Sequence, residues 1–223
     1  MPLAPPFSKT FGAALIAVLA LIACADTGTD EKLDRLVAGE AQLAEQDRDY
    51  PSAIRHYATL YDRKPDDVGV IVGFARNLRY AGQYEDARKV LDDALGRLGQ
   101  QPRLLVERGK DEIAVGHAEL AVKTLAAAVT EVPADWEAPA ILAIAYDRLG
   151  RYDEAAAQYR AATAISHENA DILNNYALSR ALAGHIDEAL VLLRRAVALP
   201  SAGPRARENL ALLETLKKST PKQ

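Results

Sequence analysis

Residues 139–159 read PAILAIAYDRLGRYDEAAAQY, which is two apolar stretches joined at Gly150. Small and aliphatic side chains recur every three or four positions on both sides of this glycine, which is the spacing of one helix face. Ala143 and Ala155 would let two antiparallel helices approach closely, because larger side chains would overpack the contact. The stretch therefore predicts a helix–turn–helix unit.

The same pattern recurs at intervals of 34 along the chain, without insertion or deletion. Glycine suits the turns because it adopts positive φ at little cost, and alanine suits the contacts between helices. The recurring residues are Gly82, Gly116, Gly150 and Gly184; Ala53, Ala87, Ala121, Ala155 and Ala189; and Ala94, Ala128, Ala162 and Ala196. Acidic pairs such as Asp153-Glu154 lie in the first turn of the second helices and complement their dipoles. This frame gives five repeats over 34–203 and a sixth first helix.

Such a period, with small residues at these places, resembles the tetratricopeptide repeat. The clearest unit carries Leu142-Ala143 and Tyr146, followed by Ala155 and Tyr159. The resemblance covers 34–218 and implies an all-α fold, a right-handed solenoid of about five tetratricopeptide helix pairs plus a C-terminal capping helix. Polar residues of the last helix suit such a cap, which keeps a solenoid end soluble; they are Arg205, Arg207, Glu208, Glu214, Lys217 and Lys218. We expect residues 219–223 to form a disordered tail.

Alanine or glycine also recurs in the middle of each first helix, where we expect close contact with the second helix. The positions are Ala41, Ala75, Gly109, Ala143, Ala177 and Ala211. The repeat at 102–135 departs most from its neighbours, because Arg108 and Glu112 stand where they carry large apolar side chains. Either the repeat has drifted on a tolerant scaffold, or these residues form a polar patch for a partner.

Residues 1–23 have the organisation of a signal peptide. Lys9 precedes thirteen apolar or small residues, Phe11 to Ala23, and Cys24 follows as the sole cysteine of the chain. A membrane-spanning helix needs roughly 20 apolar residues, so this run is short for a span. We expect a cleaved segment over 1–23, and a lipidated cysteine with a polar tether over 24–33 that reaches about 30 Å if extended.

The residues Leu21-Ile22-Ala23-Cys24 resemble the bacterial lipobox, in which the cysteine after the cleavage site carries the lipid. The resemblance implies lipidation of Cys24 and attachment to a membrane. An ordinary secretory signal with an incidental cysteine, or an uncleaved anchor, is the alternative. In enterobacterial lipoproteins an aspartate after the cysteine signals inner-membrane retention, whereas Ala25 stands here. The resemblance therefore favours the outer membrane, with the protein facing the periplasm.

The chain shows no sequence pattern for catalysis, metal binding or nucleic-acid binding. Its formal net charge is −4, without the basic excess of a nucleic-acid-binding domain. The histidines His56, His117, His167 and His185 form no spaced ligand motif, and no phosphate-binding loop or nucleophile elbow is present. We expect no enzyme activity, no metal and no cofactor, and protein as the partner.

Tetratricopeptide solenoids bind their partners on the concave surface lined by the first helices. Helical spacing places ten residues on or near that face: Val72, Arg76, Arg79, Tyr80, Arg103, Lys110, Ile144, Arg148, Asn174 and Leu178. The basic members with Tyr80 would suit an acidic or aromatic peptide. Alternatively, these arginines are solvent-exposed residues of the helix surface and bind no partner. On either interpretation we expect charge reversal at Arg76 and Arg79 to leave the fold intact.

Residues 170–213 resemble the end of the TadD family, the tetratricopeptide lipoproteins of tight-adherence (Flp pilus) secretion systems. The resemblance rests on Asn174-Asn175-Tyr176-Ala177-Leu178, Asp187-Glu188-Ala189 and Asn209-Leu210-Ala211-Leu212. It implies an outer-membrane lipoprotein that helps to assemble the pilus machinery by docking or chaperoning its secretin. The alternatives are a type IV pilus pilotin or another envelope-biogenesis scaffold, and less favourably a lipid-anchored enzyme.

Overall fold

The computed structural model describes residues 11–166 and 169–219, with side chains described from residue 28. Within these ranges the chain forms eleven α-helices and no strand. In chain order they are α1 Phe11–Gln46, α2 Tyr50–Arg63, α3 Val68–Tyr80, α4 Tyr84–Leu98, α5 Pro102–Ala114, α6 Ala118–Glu131, α7 Glu137–Arg148, α8 Tyr152–Ser166, α9 Ala170–Leu182, α10 Ile186–Ala198 and α11 Pro204–Ser219. The prediction of an all-helical solenoid with five helix pairs and a terminal helix is confirmed.

Local signals in the sequence set the ends of the helices. The Asp67 carboxylate accepts hydrogen bonds from the Gly69 and Val70 amides at the start of α3, at 2.8 and 3.1 Å. The Asn169 side chain caps α9 in the same way. The turn glycines 82, 116, 150 and 184 all have positive φ, between 69° and 86°. Because this conformation is strained for other residues, each glycine reverses the chain between two paired helices.

Alanines form the contact between the paired helices. The two alanine series of the second helices are at most 1% exposed throughout. In the first helices, Ala41, Ala143 and Ala177 are 0% exposed, and Ala75 and Gly109 are also buried. A side chain on Gly109 would place its Cβ only 2.4 Å from Leu125 Cγ. The helices of this third pair are therefore too close for alanine.

Two expectations differ from the structure. Ala211 is exposed, because no second helix of the described chain follows α11 to cover it. Residues 24–33 are helical and not an extended tether, since α1 runs unbroken to Gln46. Their helix is held to α2 where Arg63 binds Asp30 and Asp34, at 2.9 and 2.5 Å.

Some predictions concern parts of the chain that are not described. Residues 1–10 and 220–223 and the side chain of Cys24 lie outside the described part, as does His167. The structure therefore leaves cleavage, lipidation and the C-terminal tail as predictions. Among the described residues, no helix combines the length and the hydrophobicity needed to cross a membrane.

Replacing Ala155 tests the alanine contact. Ala155→Leu adds three carbons at a site that is 0% exposed, so we expect it to destabilise the protein by about 1–3 kcal/mol. Ala157→Leu, on the exposed side of the same helix, should leave the thermal midpoint unchanged. Equal midpoints for the two variants, measured by circular dichroism, would show that α7 and α8 do not meet at Ala155.

Candidate protein-binding face

The first helix of each repeat packs beside the first helix of the next, from α3 through α5, α7 and α9 to α11. We call their shared surface, together with α1, the first-helix face. Two rows of side chains, each spaced at the repeat length, mark it. They are Gln42, Arg76, Lys110, Ile144, Leu178 and Leu212, and beside them Gln46, Tyr80, Ala114, Arg148, Leu182 and Leu216. The rows begin with polar side chains and end with leucines.

The polar end of the face is internally neutralised. Arg76 contacts Glu45 at 3.1 Å, which also accepts a hydrogen bond from Asn77 at 2.6 Å. Further along, Glu107 contacts Arg79 at 2.9 Å and Lys110 at 2.6 Å. Lys110 then reaches Glu137 on α7, at 2.7 Å. We call these residues the ion-pair network; it links α1 to α3, and α3 to α5 and α7.

The expectation that Arg79 can be reversed without harm to the fold is wrong. Its side chain is 10% exposed and that of Glu107 is 5% exposed, so the pair is buried. Reversing Arg79 would place a carboxylate beside buried Glu107, with only Lys110 left to compensate both charges, and breaking a buried pair destabilises a protein by about 3–5 kcal/mol. Arg76 is more exposed, at 36%, but it is also paired. Neither arginine is available as a free cation for an acidic ligand.

The other predicted site residues divide into buried and exposed groups. Val72 and Asn174 are buried, and Asn174 accepts a hydrogen bond from Asn209 at 2.8 Å. These two therefore stabilise the packing between helices. Tyr80 is 56% exposed, and its ring lies 5.3 Å from that of Tyr50. Arg103, Arg148 and Leu178 are also exposed, and Ile144 is half-buried.

At its C-terminal end the face opens into an apolar groove of about 370 Å³ between α9 and α11. Leu182 is 67% exposed and Leu212 is 60% exposed. We use the name apolar groove for Leu178, Leu182, Ile186, Leu212 and Leu216. Of these five residues the sequence pattern predicted only Leu178, because the polar residues of α11 indicated a cap. The signal was present, since Leu212 and Leu216 stand one full repeat after Leu178 and Leu182.

The divergent third repeat carries a cluster of buried acids on α5. Glu107, Asp111 and Glu112 are 3–4% exposed. Arg108 bonds to Asp92 on α4 and lies 3.0 Å from Glu112. These polar side chains are therefore directed into the protein, and Glu112 cannot belong to a surface patch for a partner.

Burial in this cluster shifts the pKa of Asp111. Its Oδ1 atom is buried without a hydrogen-bond partner in the described structure. Burial raises the pKa of Asp111 to about 6, although Arg79 and Arg108 oppose the shift and Glu112 and Glu85 add to it. Ionised Asp111 therefore costs the fold stability at neutral pH.

The described residues contain no group of three or more histidine, cysteine, aspartate or glutamate side chains placed to hold a metal ion. His117 and His185 are exposed at the starts of α6 and α10. The first-helix face consists of helix surface that carries paired charges at one end and exposed leucines at the other. This fold and this face define a helical-repeat scaffold for protein–protein interaction.

Comparison with known families gives the class a name. Two tetratricopeptide-repeat family profiles match consecutive segments, 44–105 and 106–170, which together make up more than half of the chain. The chain belongs to the tetratricopeptide-repeat proteins. No significant match was found among curated proteins.

Solved structures agree with this fold. A thermophilic TPR protein of Thermus thermophilus superposes with a TM-score of 0.71 at 20% identity, covering 81% of this chain and 96% of its own. MamA from Desulfovibrio magneticus gives a TM-score of 0.56 at 17% identity, covering 85% and 97%. At such identities the similarity establishes the fold alone.

The raised pKa of Asp111 predicts an unusual dependence of stability on pH. The pKa of this carboxyl is higher in the folded than in the unfolded state. The free energy of unfolding therefore decreases as pH rises from about 4 to about 6, where the folded protein must release a proton that it binds more tightly. Asp111→Asn does not titrate, so it should be more stable than wild type at pH 7.5, by on the order of 2 kcal/mol. The difference should shrink at pH 4.5. Urea unfolding at both pH values measures it, with the exposed Asp62→Asn as the control; a difference independent of pH would contradict the prediction.

Proposed function

We propose that this protein captures an aliphatic helix of a partner protein at the C-terminal end of its first-helix face. The observation that carries the proposal is the apolar groove, in which leucines of α9 and α11 stand exposed in register. Arg148 occupies the equivalent position on α7, is exposed, and has no ion-pair partner among the described residues. The surface thus combines an apolar floor with one available cation.

The spacing of the first helices favours a helical ligand. Packed helices lie about 8–10 Å apart, and a helix rises 1.5 Å per residue, so roughly five to seven residues of a ligand helix cover one such interval. A helix crossing α7, α9 and α11 would therefore present aliphatic side chains about seven residues apart to Ile144, Leu178 and Leu212. An acidic residue of the ligand would contact Arg148.

Replacing the groove leucines tests this surface. We expect Leu178→Glu, Leu212→Glu to lose partner proteins that co-purify with wild type from envelope extract, because two carboxylates would be desolvated in an apolar contact. Both side chains are exposed, so the thermal midpoint should change little. Val191→Glu, on exposed α10 surface, is the matched control. Identical co-purification by wild type and the double variant would exclude the groove.

We further propose that the scaffold is an outer-membrane lipoprotein facing the periplasm, and that it assists assembly of a Flp pilus secretion machine by docking or chaperoning its secretin. The support is the lipobox-like Leu21-Ile22-Ala23-Cys24 and the resemblance of residues 170–213 to TadD. The apolar groove lies largely within those residues, at Leu178, Leu182, Ile186 and Leu212. A type IV pilus pilotin, or a general envelope-biogenesis scaffold, is the alternative assignment.

Cysteine replacement and complementation test this assignment. Cys24→Ser should abolish labelling with an acyl probe and leave the precursor uncleaved, because serine offers no thiol for the lipid. Labelling of the serine variant would contradict the lipoprotein proposal. In a deletion strain, wild type should restore surface piliation and the groove double variant should not. Normal piliation without the gene would exclude the pilus role while leaving the groove proposal intact.

A further inference from the structure

The N-terminal edge of the solenoid exposes two leucines at positions that the later repeats cover. Leu36 corresponds, at intervals of 34, to the half-buried Val70 and then to Leu104, Ala138, Ile172 and Ala206, which are at most 4% exposed. Leu43 corresponds to Asn77, Asp111, Ala145, Ser179 and Leu213, all at most 8% exposed. On α1, however, Leu36 is 68% exposed and Leu43 is 55% exposed. The positions by which a first helix packs on the preceding repeat are thus leucines in contact with solvent.

A terminal repeat normally presents a polar outer face, because it has no neighbour to cover it. Here the two leucines are flanked by opposite charges, each four positions away. Lys32 precedes Leu36 and Asp47 follows Leu43. Both charged residues are exposed, and neither has an ion-pair partner among the described residues. Asp47 directly follows α1, and its amide donates to the Leu43 carbonyl at 3.0 Å, so the helical spacing continues to it. At 100° per residue the four positions fall within about 60° of arc, so they share one stripe.

We propose that this stripe is a contact between two copies of the chain, formed by antiparallel α1 helices. The spacings of four, seven and four positions are symmetric about the midpoint between Gly39 and Glu40. In the antiparallel register, Leu36 meets Leu43 of the second copy, and Lys32 meets Asp47 of the second copy. The two-fold axis repeats both contacts, as an isologous dimer requires.

The charges select this orientation. In a parallel arrangement, Lys32 would meet Lys32 of the second copy and Asp47 would meet Asp47, and such like-charge contacts are unfavourable. Gly39 also favours close approach at the centre, because no atom beyond its chain neighbours and the backbone of its own helix turn lies within 4 Å of where its Cβ would be. A second copy could therefore bring its helix against this backbone.

The contact differs from the apolar groove in residues and in location. α1 is the first helix of the described chain, whereas the groove lies between α9 and α11. A dimer through α1 leaves both grooves open, so the assembly is bivalent for its partner. Two linked binding sites bind a multivalent ligand more tightly than either site alone.

Disulfide cross-linking of the full-length chain in its own envelope tests the register. Leu36→Cys and Leu43→Cys are produced together with different tags, and oxidation should give a species that carries both tags. Leu36→Cys with itself should cross-link at least fivefold less, because like residues lie about seven residues apart, about 10 Å along the helix axis. Wild type, with Cys24 alone, sets the background, and Val191→Cys controls for random collision. Equal yields from like and unlike pairs would overturn the antiparallel contact.

A charge exchange separates the proposed contact from damage to the fold. Lys32→Asp should reduce the yield of the mixed cross-link severalfold, because it places two aspartates together. Adding Asp47→Lys in the same chain should restore the yield, since each end of the contact again joins opposite charges. Failure of the double change to restore it would overturn the pairing. When Leu178→Glu and Leu212→Glu are added to the Leu36→Cys and Leu43→Cys chains, the yield of the mixed cross-link should not change. Failure of the partner proposal therefore does not affect this test.

Discussion

The close contact of small side chains between the two helices of each pair is the constraint on which the rest of this structure depends. Alanines such as Ala143 and Ala155 are fully buried there, and Gly109 replaces alanine where Leu125 approaches still more closely. Because the contact recurs once in every repeat, each pair is held in the same geometry as the last. The first helices consequently lie side by side and form one continuous face.

That face is divided into two halves with different chemistry. In the N-terminal half, buried pairs such as Arg79 with Glu107 join successive first helices and leave few free charges. Lys110 extends the same linkage to Glu137 on α7. In the C-terminal half, leucines replace the charged residues and remain exposed. Desolvating paired charges is costly, whereas covering leucines is favourable, so the second half is the better surface for a partner.

In a repeat protein each repeat is covered by its neighbours, whereas the first and last helices have a neighbour on one side only. At the C-terminal end, no second helix follows α11 among the described residues, and Ala211 is exposed beside the apolar groove. At the N-terminal end, no repeat precedes α1 among the described residues, and Leu36 and Leu43 are exposed. The two surfaces lie at opposite ends of the solenoid, so occupation of one leaves the other accessible.

The sequence by itself determined the helices, their pairing and the buried alanines. Each of these follows from the helical period of about 3.6 residues and from the repeat length of 34. Both periods can be recognised in the sequence without knowing which distant residues are in contact. The repeat frame also placed Leu178 on the first-helix face. Leu212 and Leu216 stand at equivalent positions, but the polar residues around them in α11 indicated a cap.

Only the tertiary structure decided which charges on that face are free. Arg76, Arg79 and Arg148 are all first-helix arginines by their position in the repeat, yet the first two are paired with glutamates and the third is not. Glu45 and Glu107 lie 31 and 28 residues away from their arginines along the chain. Whether such a pair forms depends on the distance between side-chain ends on neighbouring helices, and periodicity specifies only the face on which each residue lies.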